Sequence, residues 1–563
     1  MSLTRTLLSV AVSLGIAMPA FAAKATNNEL KIGISQEFDS LNPILSSMVA
    51  SSYIRYIVNR RLTNLDSDNK WQPQIAKELP TLENGLAKIV TVDGKKKIVT
   101  NWEIKEAVKW GDGTPLTCDD IIFSRTVALS NNVSIPEREV YEQIEKIDVD
   151  PKNPKKCTFT YQKAIWNHVN QLGTFYLLPK HLEEKVFNKY KNQKEGYEKN
   201  SNYTKNPSNP GLYNGPYVVS ELKLGDHITM VPNKHFYGEA PKIKRIIIKL
   251  IPNTGTLEAN LRSGTVDKIS VLGLTFDQAI SLDKKIKTEN VDFSVVFEPS
   301  AVHEHIDLNL DNPILKDIKV RKALATAIDK EQLVKSLFEG KQPASLHFIT
   351  PKDPWYTDDP KSVTTYRYSK RQAAKMLDEA GWKEEKDGYR YKDGKKLSLN
   401  FMTTAGNKTR EAVQVYLQNQ WKQVGVEIII KNEPGRVFFG ETTKKRRFDM
   451  AMYAWVANPE NNPRSTLHSG MISTEKNGWS GQNYPGFKNA RMDKIIEDME
   501  GEFNPKKRLE LAAEMQKIYT DEVPVLPLYY RTDNAVIPKN MKNFRIPGHQ
   551  FSETNDVERW TME

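Results

Sequence analysis

The chain has 563 residues, of which 39% are hydrophobic and 27% are charged, a composition typical of a water-soluble globular protein. This length exceeds what one hydrophobic core usually organises, so two or three domains are expected. The formal charge is +11, but the basic residues are scattered in short runs. That pattern argues against a nucleic-acid-binding patch and predicts only a general long-range attraction for anionic ligands or membranes.

The first 22 residues have the pattern of a secretory signal peptide. Arg5 precedes an apolar run, residues 7–17, and the small residues Ala20 and Ala22 occupy the −3 and −1 positions of a cut after Ala22. The run is too short to span a bilayer. No cysteine lies at the cleavage site to carry a lipid anchor. We therefore expect an exported, soluble mature protein that is not a lipoprotein.

The first half of the mature chain mixes strands and helices. Periodicity predicts strands at 30–34, 89–92, 97–104, 157–161, 217–219 and 243–251, and helices at 46–62 and 257–261. Asp93-Gly94 joins two of these strands as a hairpin, and Thr117 is predicted to cap a helix that begins near Asp119 and Asp120. Residues 190–210 are dense in Lys, Asn, Ser and Pro, which predicts a long surface loop and a domain boundary.

The second half alternates helices with strands. Helices are predicted at 316–328, from Asp329 to Gly340, at 369–380, at 410–424, near Val437, and from Asn504-Pro505 onward. Strands are predicted at 305–309, 426–430 and 448–455. Residues 523–530 form an extended segment interrupted by proline. This alternation predicts a mostly parallel sheet.

The strand at 448–455 is the best candidate for a site. Tyr453 and Trp455 lie two residues apart and leave the same face of the strand, and the strand ends at Asn458-Pro459. An aromatic pair beside a polar turn at a strand end is where α/β domains usually bind ligands. The alternative is an ordinary core strand with an exit turn.

The sequence offers little chemistry for catalysis or metal binding. His303 and His305 could share one face of a strand and hold a metal, but no third ligand lies nearby at a characteristic spacing. No nucleophile elbow, zinc-protease, phosphate-loop or dinucleotide motif is present. We therefore expect no catalytic residues, no metal and no cofactor.

Cys118 and Cys157 form either a disulfide or two separate buried thiols.

Several blocks, in order over nearly the whole mature chain, resemble the family-5 bacterial extracellular solute-binding proteins, the oligopeptide- and dipeptide-binding proteins of ABC importers. The blocks lie at 108–120 (VKWGDGTPLTCDD), 214–217 (NGPY), 263–267 (SGTVD), 317–324 with 327–329 (DIKVRKAL and AID), 377–382 (LDEAGW) and 524–530 (PVLPLYY). The resemblance implies an α/β, two-lobed periplasmic binding protein fold of the large three-subdomain type, with two interlobe hinge strands that let the lobes close on a ligand.

The resemblance also implies domain boundaries. The first lobe would comprise 23–64, 206–300 and 528–563, the inserted β-rich subdomain 65–205, and the second lobe 301–527. The crossings would lie near 303–309 and 526–530.

Trp455 corresponds to an aromatic residue that lines the family's peptide site. Many peptide-binding members follow it with an aspartate that pairs with the ligand's α-ammonium group, but here that position is Asn458. Glu37, Glu433 or Glu460 could supply the missing charge. Arg436 and Arg464 are candidates for a ligand carboxylate, or are surface arginines. Tyr453, Tyr213, Asn214 and His305 complete the candidate ligand-binding residues.

The resemblance implies a monomeric periplasmic protein that captures short peptides and delivers them to an ABC permease in the inner membrane, with no nucleic-acid partner. The departure at Asn458 keeps open a non-peptide ligand: an opine, a sugar derivative or a metal complex. An exported hydrolase on the same scaffold is a third hypothesis, although the sequence shows neither a nucleophile nor a metal-bound water with a positioned base.

Overall fold

A computed structural model describes residues 25–563 apart from 37, 39, 47, 134, 136–137, 435–436, 457–458 and 478–480, and apart from the side chains of 440 and 477. The predicted signal peptide therefore lies outside the described residues, as do the candidate ligand residues Glu37, Arg436 and Asn458. Within the described ranges, no helix combines the length and the apolar character needed to cross a membrane.

The strands, in chain order, are β1 (Leu30–Ile34), β2 (Thr63–Leu65), β3 (Trp71–Pro73), β4 (Ala87–Val92), β5 (Lys95–Glu103), β6 (Ile144–Asp150), β7 (Asn153–Tyr161), β8 (Tyr217–Lys223), β9 (His227–Pro232), β10 (Ile246–Leu250), β11 (Lys268–Ile269), β12 (Phe293–Leu308), β13 (Lys383–Glu384), β14 (Arg390–Lys392), β15 (Lys395–Lys396), β16 (Ser398–Met402), β17 (Glu427–Ile430), β18 (Met450–Val456), β19 (Val525–Pro538), β20 (Met541–Lys542) and β21 (Thr561–Met562).

The α-helices span Val49–Val58, Cys118–Ala128, Glu139–Glu142, His168–Gln171, Lys180–Tyr190, Gly196–Asn200, Asn202–Lys205, Leu257–Arg262, Phe276–Glu289, Ile318–Thr326, Lys330–Phe338, Lys370–Glu379, Lys408–Lys422, Arg464–Leu467, Ala490–Gly501 and Pro505–Glu522. A π-helix covers Phe438–Thr443, and short 3-10 turns cover Pro210–Leu212, Thr254–Thr256, Ser469–Met471, Glu475–Asn477 and Glu553–Arg559.

Two long strands join two lobes into one sheet. Ten of the described strands are hydrogen-bonded in the order β17-β16-β18-β12-β19-β11-β1-β10-β9-β8. The central pair, β12 and β19, is antiparallel from Phe293 opposite Pro538 to Asp307 opposite Val525, with register shifts between Pro299 and His303 and between Glu304 and His305. Strands of the N-terminal part lie beside β19, and strands of the residue 398–456 region lie beside β12. The two predicted crossing segments therefore belong to one antiparallel ribbon.

The predicted inserted region, residues 65–205, has a sheet of its own, in the order β4-β5-β7-β6. The helix Cys118–Ala128 packs against it and begins with a reciprocal capping box, in which Thr117 and Asp120 bond each other's backbone N–H groups. A disulfide joins Cys118 at this helix start to Cys157 on β7. One continuous hydrophobic core contains residues of this region and of β1, β8, β9 and β10. The insertion is thus packed firmly onto the N-terminal lobe.

The second lobe has a separate core. The apolar faces of the helices Ile318–Thr326 and Lys408–Lys422 bury Leu324 and Trp421 against β16 and β18. The Trp421 indole donates to the Leu324 carbonyl over 3.0 Å, which satisfies its N–H inside the core. These contacts hold β18 rigidly where it approaches β12.

Two predictions about the fold were wrong. The large sheet is mixed: among its described strand pairs, four are parallel and five are antiparallel. The antiparallel pairs arise because β12 and β19 cross between lobes and β8–β9 is a hairpin. The predicted loop 190–210 contains two short helices, because Tyr197 and Tyr203 are buried and Ser201 donates to the buried Glu183 carboxylate over 2.8 Å.

Candidate functional site

β18 is a core strand for most of its length and opens onto a cavity at its end. Met450 and Met452 are buried in the second-lobe core, while Ala451 and Tyr453 on the opposite face are buried in a small aromatic cluster with Phe438 and Phe448. The strand then leaves the core, since Trp455 is half-buried and Val456 is exposed. The strand is thus a core segment that carries an accessible aromatic residue at its C-terminal end.

Tyr453 and Trp455 extend from the same face, as the alternation predicted, and their rings meet edge-to-face with centroids 5.4 Å apart. β18 pairs antiparallel with β12, which places His303 opposite Trp455 and His305 opposite Tyr453. The His305 ring lies parallel to the Trp455 indole, with centroids 6.5 Å apart and planes 11° from parallel. Tyr484 lies near the indole, with centroids 6.2 Å apart. The result is an aromatic wall built from two strands and one loop.

Polar atoms lie behind this wall. The Tyr453 hydroxyl donates to Asp307 Oδ2, and burial together with that carboxylate raises the pKa of Tyr453 well above its usual value. Burial, reinforced by His305 and His347, lowers the pKa of His303 well below its usual value, so this imidazole is neutral near pH 7. The face of β12 beside Trp455 therefore offers the Asp307 carboxylate and the neutral imidazole of His303.

The imidazoles have unused hydrogen-bonding capacity. His303 Nδ1 and both ring nitrogens of His305 are buried and make no hydrogen bond with the described residues. The His305 Nε2 atom lies 3.4 Å from Asp307 Oδ1, but not in hydrogen-bond geometry. Buried polar atoms normally have a partner in the protein, in ordered water or in a ligand. These atoms are therefore available to an ordered water or a ligand.

A cavity of about 120 Å³ lies against these residues. Its wall combines His303, His305 and Asp307 of β12 with Trp455, the 348–353 loop, and Tyr519 of the helix Pro505–Glu522. No described lysine or arginine lines the cavity. Its local charge is therefore opposite in sign to the net positive charge of the chain, so the long-range attraction for anions expected from composition does not describe this cavity.

Asp353 is a second carboxylate in the wall. Its two oxygens accept the backbone N–H groups of Trp355 and Glu460, each over 2.8 Å. Burial raises the pKa of Asp353 to about 7, and the nearby Glu460 carboxylate acts in the same direction. No lysine or arginine in the described part of the chain forms an ion pair with Asp353. It joins the 348–353 loop to the turn that follows Trp455.

The other predicted ligand residues lie elsewhere. Tyr213 and Asn214 are fully buried: the Tyr213 hydroxyl donates to the Pro207 carbonyl, and Asn214 bonds both backbone groups of Arg60, at 2.7 and 3.0 Å. They do not line this cavity, because their polar atoms bond the backbone of Arg60 and Pro207, and their contact with a ligand stays a prediction. Arg464 pairs with Glu500 and does not line the cavity, although Pro463 and Ser465 on either side of it do.

Glu433 and Glu460, two of the glutamates predicted to pair with the ligand's amine, have other partners. Glu433 accepts a hydrogen bond from Thr442. Burial raises the pKa of Glu460, while Arg508 opposes that shift. Glu37, Arg436 and Asn458 stay predictions, since they lie outside the described residues. Sequence reasoning missed Asp307 and Asp353; the alternation His303-x-His305-x-Asp307 pointed to the first of these, and no local pattern pointed to the second.

The model of the bacterial extracellular solute-binding proteins, family 5, matches residues 72–477, which is most of the chain. The chain belongs to this family.

Family-5 proteins are the solute-binding components of ABC importers, and several of the similar proteins are named as oligopeptide-binding proteins. The oligopeptide-binding protein AppA of Bacillus subtilis is 26% identical over 551 residues, covering 95% of this chain and 91% of AppA. The oligopeptide-binding protein of Thermus thermophilus, solved with a pentapeptide, superposes with a TM-score of 0.71 at 26% identity, covering 95% and 96% of the two chains.

A second similar structure contains a different kind of ligand. NikZ of Campylobacter jejuni, solved in complex with Ni(L-His), superposes with a TM-score of 0.73 at 25% identity, covering 95% of this chain and all of NikZ. These likenesses confirm the two-lobed α/β fold expected of a family-5 protein. They also show that this family-5 fold accommodates both peptides and metal complexes.

Proposed function

We propose that this protein is the periplasmic substrate-binding component of an ABC importer, and that it captures short oligopeptides between its lobes and delivers them to the permease in the inner membrane. The observation that carries the proposal is the cavity against Trp455, beside the two strands that join the lobes. The half-buried indole provides an apolar face, and the unpartnered imidazole nitrogens provide acceptors for donor groups of a ligand.

The same arrangement supports binding rather than turnover. His303 and His305 have no serine or cysteine nucleophile hydrogen-bonded to them among the described residues, so the nucleophile–base pair of a hydrolase is not assembled there. We propose that the protein acts as a monomer with no nucleic-acid partner and is exported through cleavage after Ala22. Mass spectrometry of the secreted mature chain tests the cleavage site directly.

Calorimetry with di- to pentapeptides tests the central proposal. Peptide binding should also raise the melting temperature by mass action. Mass spectrometry of ligand that co-purifies with the protein would identify the natural class. Absence of both heat and thermal shift across a broad peptide library would rule out the peptide function.

A chelated metal is the second candidate, because two imidazoles with nitrogens that make no hydrogen bond to the described residues face one cavity. No cluster of three or more His, Cys, Asp or Glu side chains able to hold a metal occurs among the described residues. Any metal would therefore arrive with most of its ligands supplied by a small molecule, and one imidazole would complete its coordination. Metal analysis of protein mixed with nickel and free histidine distinguishes this candidate from peptides; no specific observation favours an opine or a sugar derivative.

A further inference from the structure

The cavity beside Trp455 contains an acidic group with no cationic partner in the described part of the chain. Asp353 is partly exposed on its wall, and each of its oxygens accepts a single backbone N–H group. A carboxylate oxygen has two lone pairs, so each of these oxygens can accept another hydrogen bond. A carboxylate removed from bulk water without a counterion is unfavourable, and a bound cation relieves that cost.

Independent atoms in the same cavity also lack partners. His303 Nδ1 and the two ring nitrogens of His305 are buried without hydrogen bonds. A neutral imidazole offers one acceptor nitrogen, which suits a ligand rich in N–H groups. The indole of Trp455 adds a π-face that attracts cations. Acceptors, a carboxylate and an aromatic face thus meet where no described lysine or arginine is present.

We propose that this cavity receives a cationic group of the ligand, an amine or a guanidinium, and that Asp353 is its charged partner. The inference rests on the proposed peptide-binding function and adds the residue that determines specificity. Asp353 already bonds the backbone of Glu460, which follows Asn458 by two positions in the sequence. A carboxylate from the 348–353 loop therefore contacts a residue close in sequence to the position where many peptide-binding members have an aspartate and this chain has the neutral Asn458.

The other acidic residues around this turn are engaged elsewhere. Glu433 accepts from Thr442, and Glu460 interacts with Arg508. Asp307 accepts the Tyr453 hydroxyl at one oxygen and faces His305 at the other. Asp353 alone among these described carboxylates combines a place on the cavity wall with contacts only to backbone N–H groups.

Matched peptides test the proposal. Calorimetry would compare tripeptides and pentapeptides that carry lysine or norleucine at each position, each with a free or an acetylated N-terminus. We expect the wild-type protein to prefer the cationic member of one matched pair by at least tenfold. The lysine series and the acetylated series separate a side-chain cation from the terminal ammonium.

Variants assign the preference to Asp353. Asp353→Asn should reduce it below threefold while the affinity for the neutral peptide stays within threefold, and Asp353→Glu should retain most of it. Asp226→Asn, which removes an exposed carboxylate from the β8–β9 hairpin, should leave the preference unchanged.

A failure of the proposed peptide-binding function and a failure of the role of Asp353 would give different results. No binding of any peptide would defeat the proposed function itself. Equal affinity of the wild-type protein for cationic and neutral peptides, or an equal loss of both in Asp353→Asn, would overturn the role of Asp353 while leaving peptide binding in place. Binding of a nickel–histidine complex in preference to every peptide would overturn both.

Discussion

Trp455 and His305 stack across two neighbouring strands, with ring centroids 6.5 Å apart. His305 belongs to β12, which pairs with β19 to join the two lobes, and Trp455 ends the strand that opens onto the cavity. A ligand that touches the indole therefore touches a residue in contact with the interlobe ribbon. We expect this contact to be one route by which a ligand favours one arrangement of the lobes over another.

Replacing Trp455 with alanine should weaken ligand binding by at least tenfold while the protein stays folded. The indole is half-buried at the strand end, whereas the residues that anchor β18 precede it. Calorimetry measures the affinity, and thermal denaturation measures the fold. Tyr453→Ala is the matched core variant, since Tyr453 is 1% exposed; it should lower the free energy of unfolding by about 3–5 kcal/mol. Unchanged affinity in Trp455→Ala would remove that residue from the site.

Affinity for a lysine-containing peptide should rise with pH. Asp353 has a pKa of about 7 in the folded protein, raised by burial, so its ionised form is the minority below pH 7. The lysine amine stays charged throughout. If only the carboxylate binds the cation, the affinity at pH 6 should be about tenfold below its plateau above pH 8. His303 does not gain charge in this window, because its pKa is lowered.

The same shift has the opposite effect on the unliganded protein. The folded-state pKa of Asp353 exceeds the usual aspartate value, so the unfolded chain releases this proton first as pH rises. The contribution of Asp353 to stability is therefore fully present only below the unfolded aspartate pKa of about 3.9 and is lost as pH rises from there through about 7. Glu460, whose pKa is also raised, adds in the same direction, and Arg508 opposes it.

The pH dependence of ligand affinity should vanish in Asp353→Asn. If it persists in that variant, another group controls the affinity.

Local periodicity predicted most individual elements of the fold. β1, the β4–β5 hairpin, the Thr117 cap and the Pro505 helix start all appear where the sequence places them. The long crossing strands were only partly predicted, because Pro299 and Pro527 interrupt their apolar patterns. In the structure both prolines lie beside register irregularities, where strand pairing tolerates a missing N–H donor.

The candidate site was likewise predicted only in part from the sequence. Tyr453, Trp455 and His305 could be predicted because their spacing along two strands fixes their direction. Asp353 could not, because it reaches the turn after Trp455 only through tertiary folding of a loop more than 100 positions earlier. Asn214 lies away from this cavity, in a turn that serves packing: a Cβ on Gly215 would lie 2.5 Å from the Val58 carbonyl carbon.

Glu304→Gln should destabilise the protein by about 3–5 kcal/mol. Glu304 on β12 is fully buried and accepts hydrogen bonds from Arg410 and Arg531, each with one contact of 2.6 Å. Burial opposes its ionisation, but the two arginines lower its pKa overall. The variant leaves the two guanidinium groups with no carboxylate between them. Urea denaturation measures the loss.

Glu298→Gln is the control on the same strand. Glu298 pairs with Lys352 but is partly exposed, so its loss should cost no more than about 1 kcal/mol. Equal effects of the two variants would show that the buried ion cluster contributes no more than a surface pair.

Trp166→Ala should weaken ligand binding by about 3- to 30-fold without altering the cavity, corresponding to the loss of an aromatic and a cation–π contact. Trp166, in the inserted region, lies 5.8 Å from Trp355 between ring centroids, and the Arg508 guanidinium lies 3.9 Å from its ring centre. Lys163 adds an ion pair with Glu500 at 3.2 Å. These contacts join the inserted region to the second lobe and favour a closed arrangement, so their loss should act mainly on the dissociation rate.

Stopped-flow fluorescence measures that rate, and small-angle scattering measures the separation of the lobes. Leu224→Ala, at an exposed hairpin position, is the matched control and should change neither quantity. A faster dissociation together with a larger radius of gyration in Trp166→Ala is the expected pair of results, because both follow from a shift toward the open form. Faster dissociation at an unchanged radius would instead place Trp166 in contact with the ligand, and unchanged values of both would exclude a role for this contact in closure.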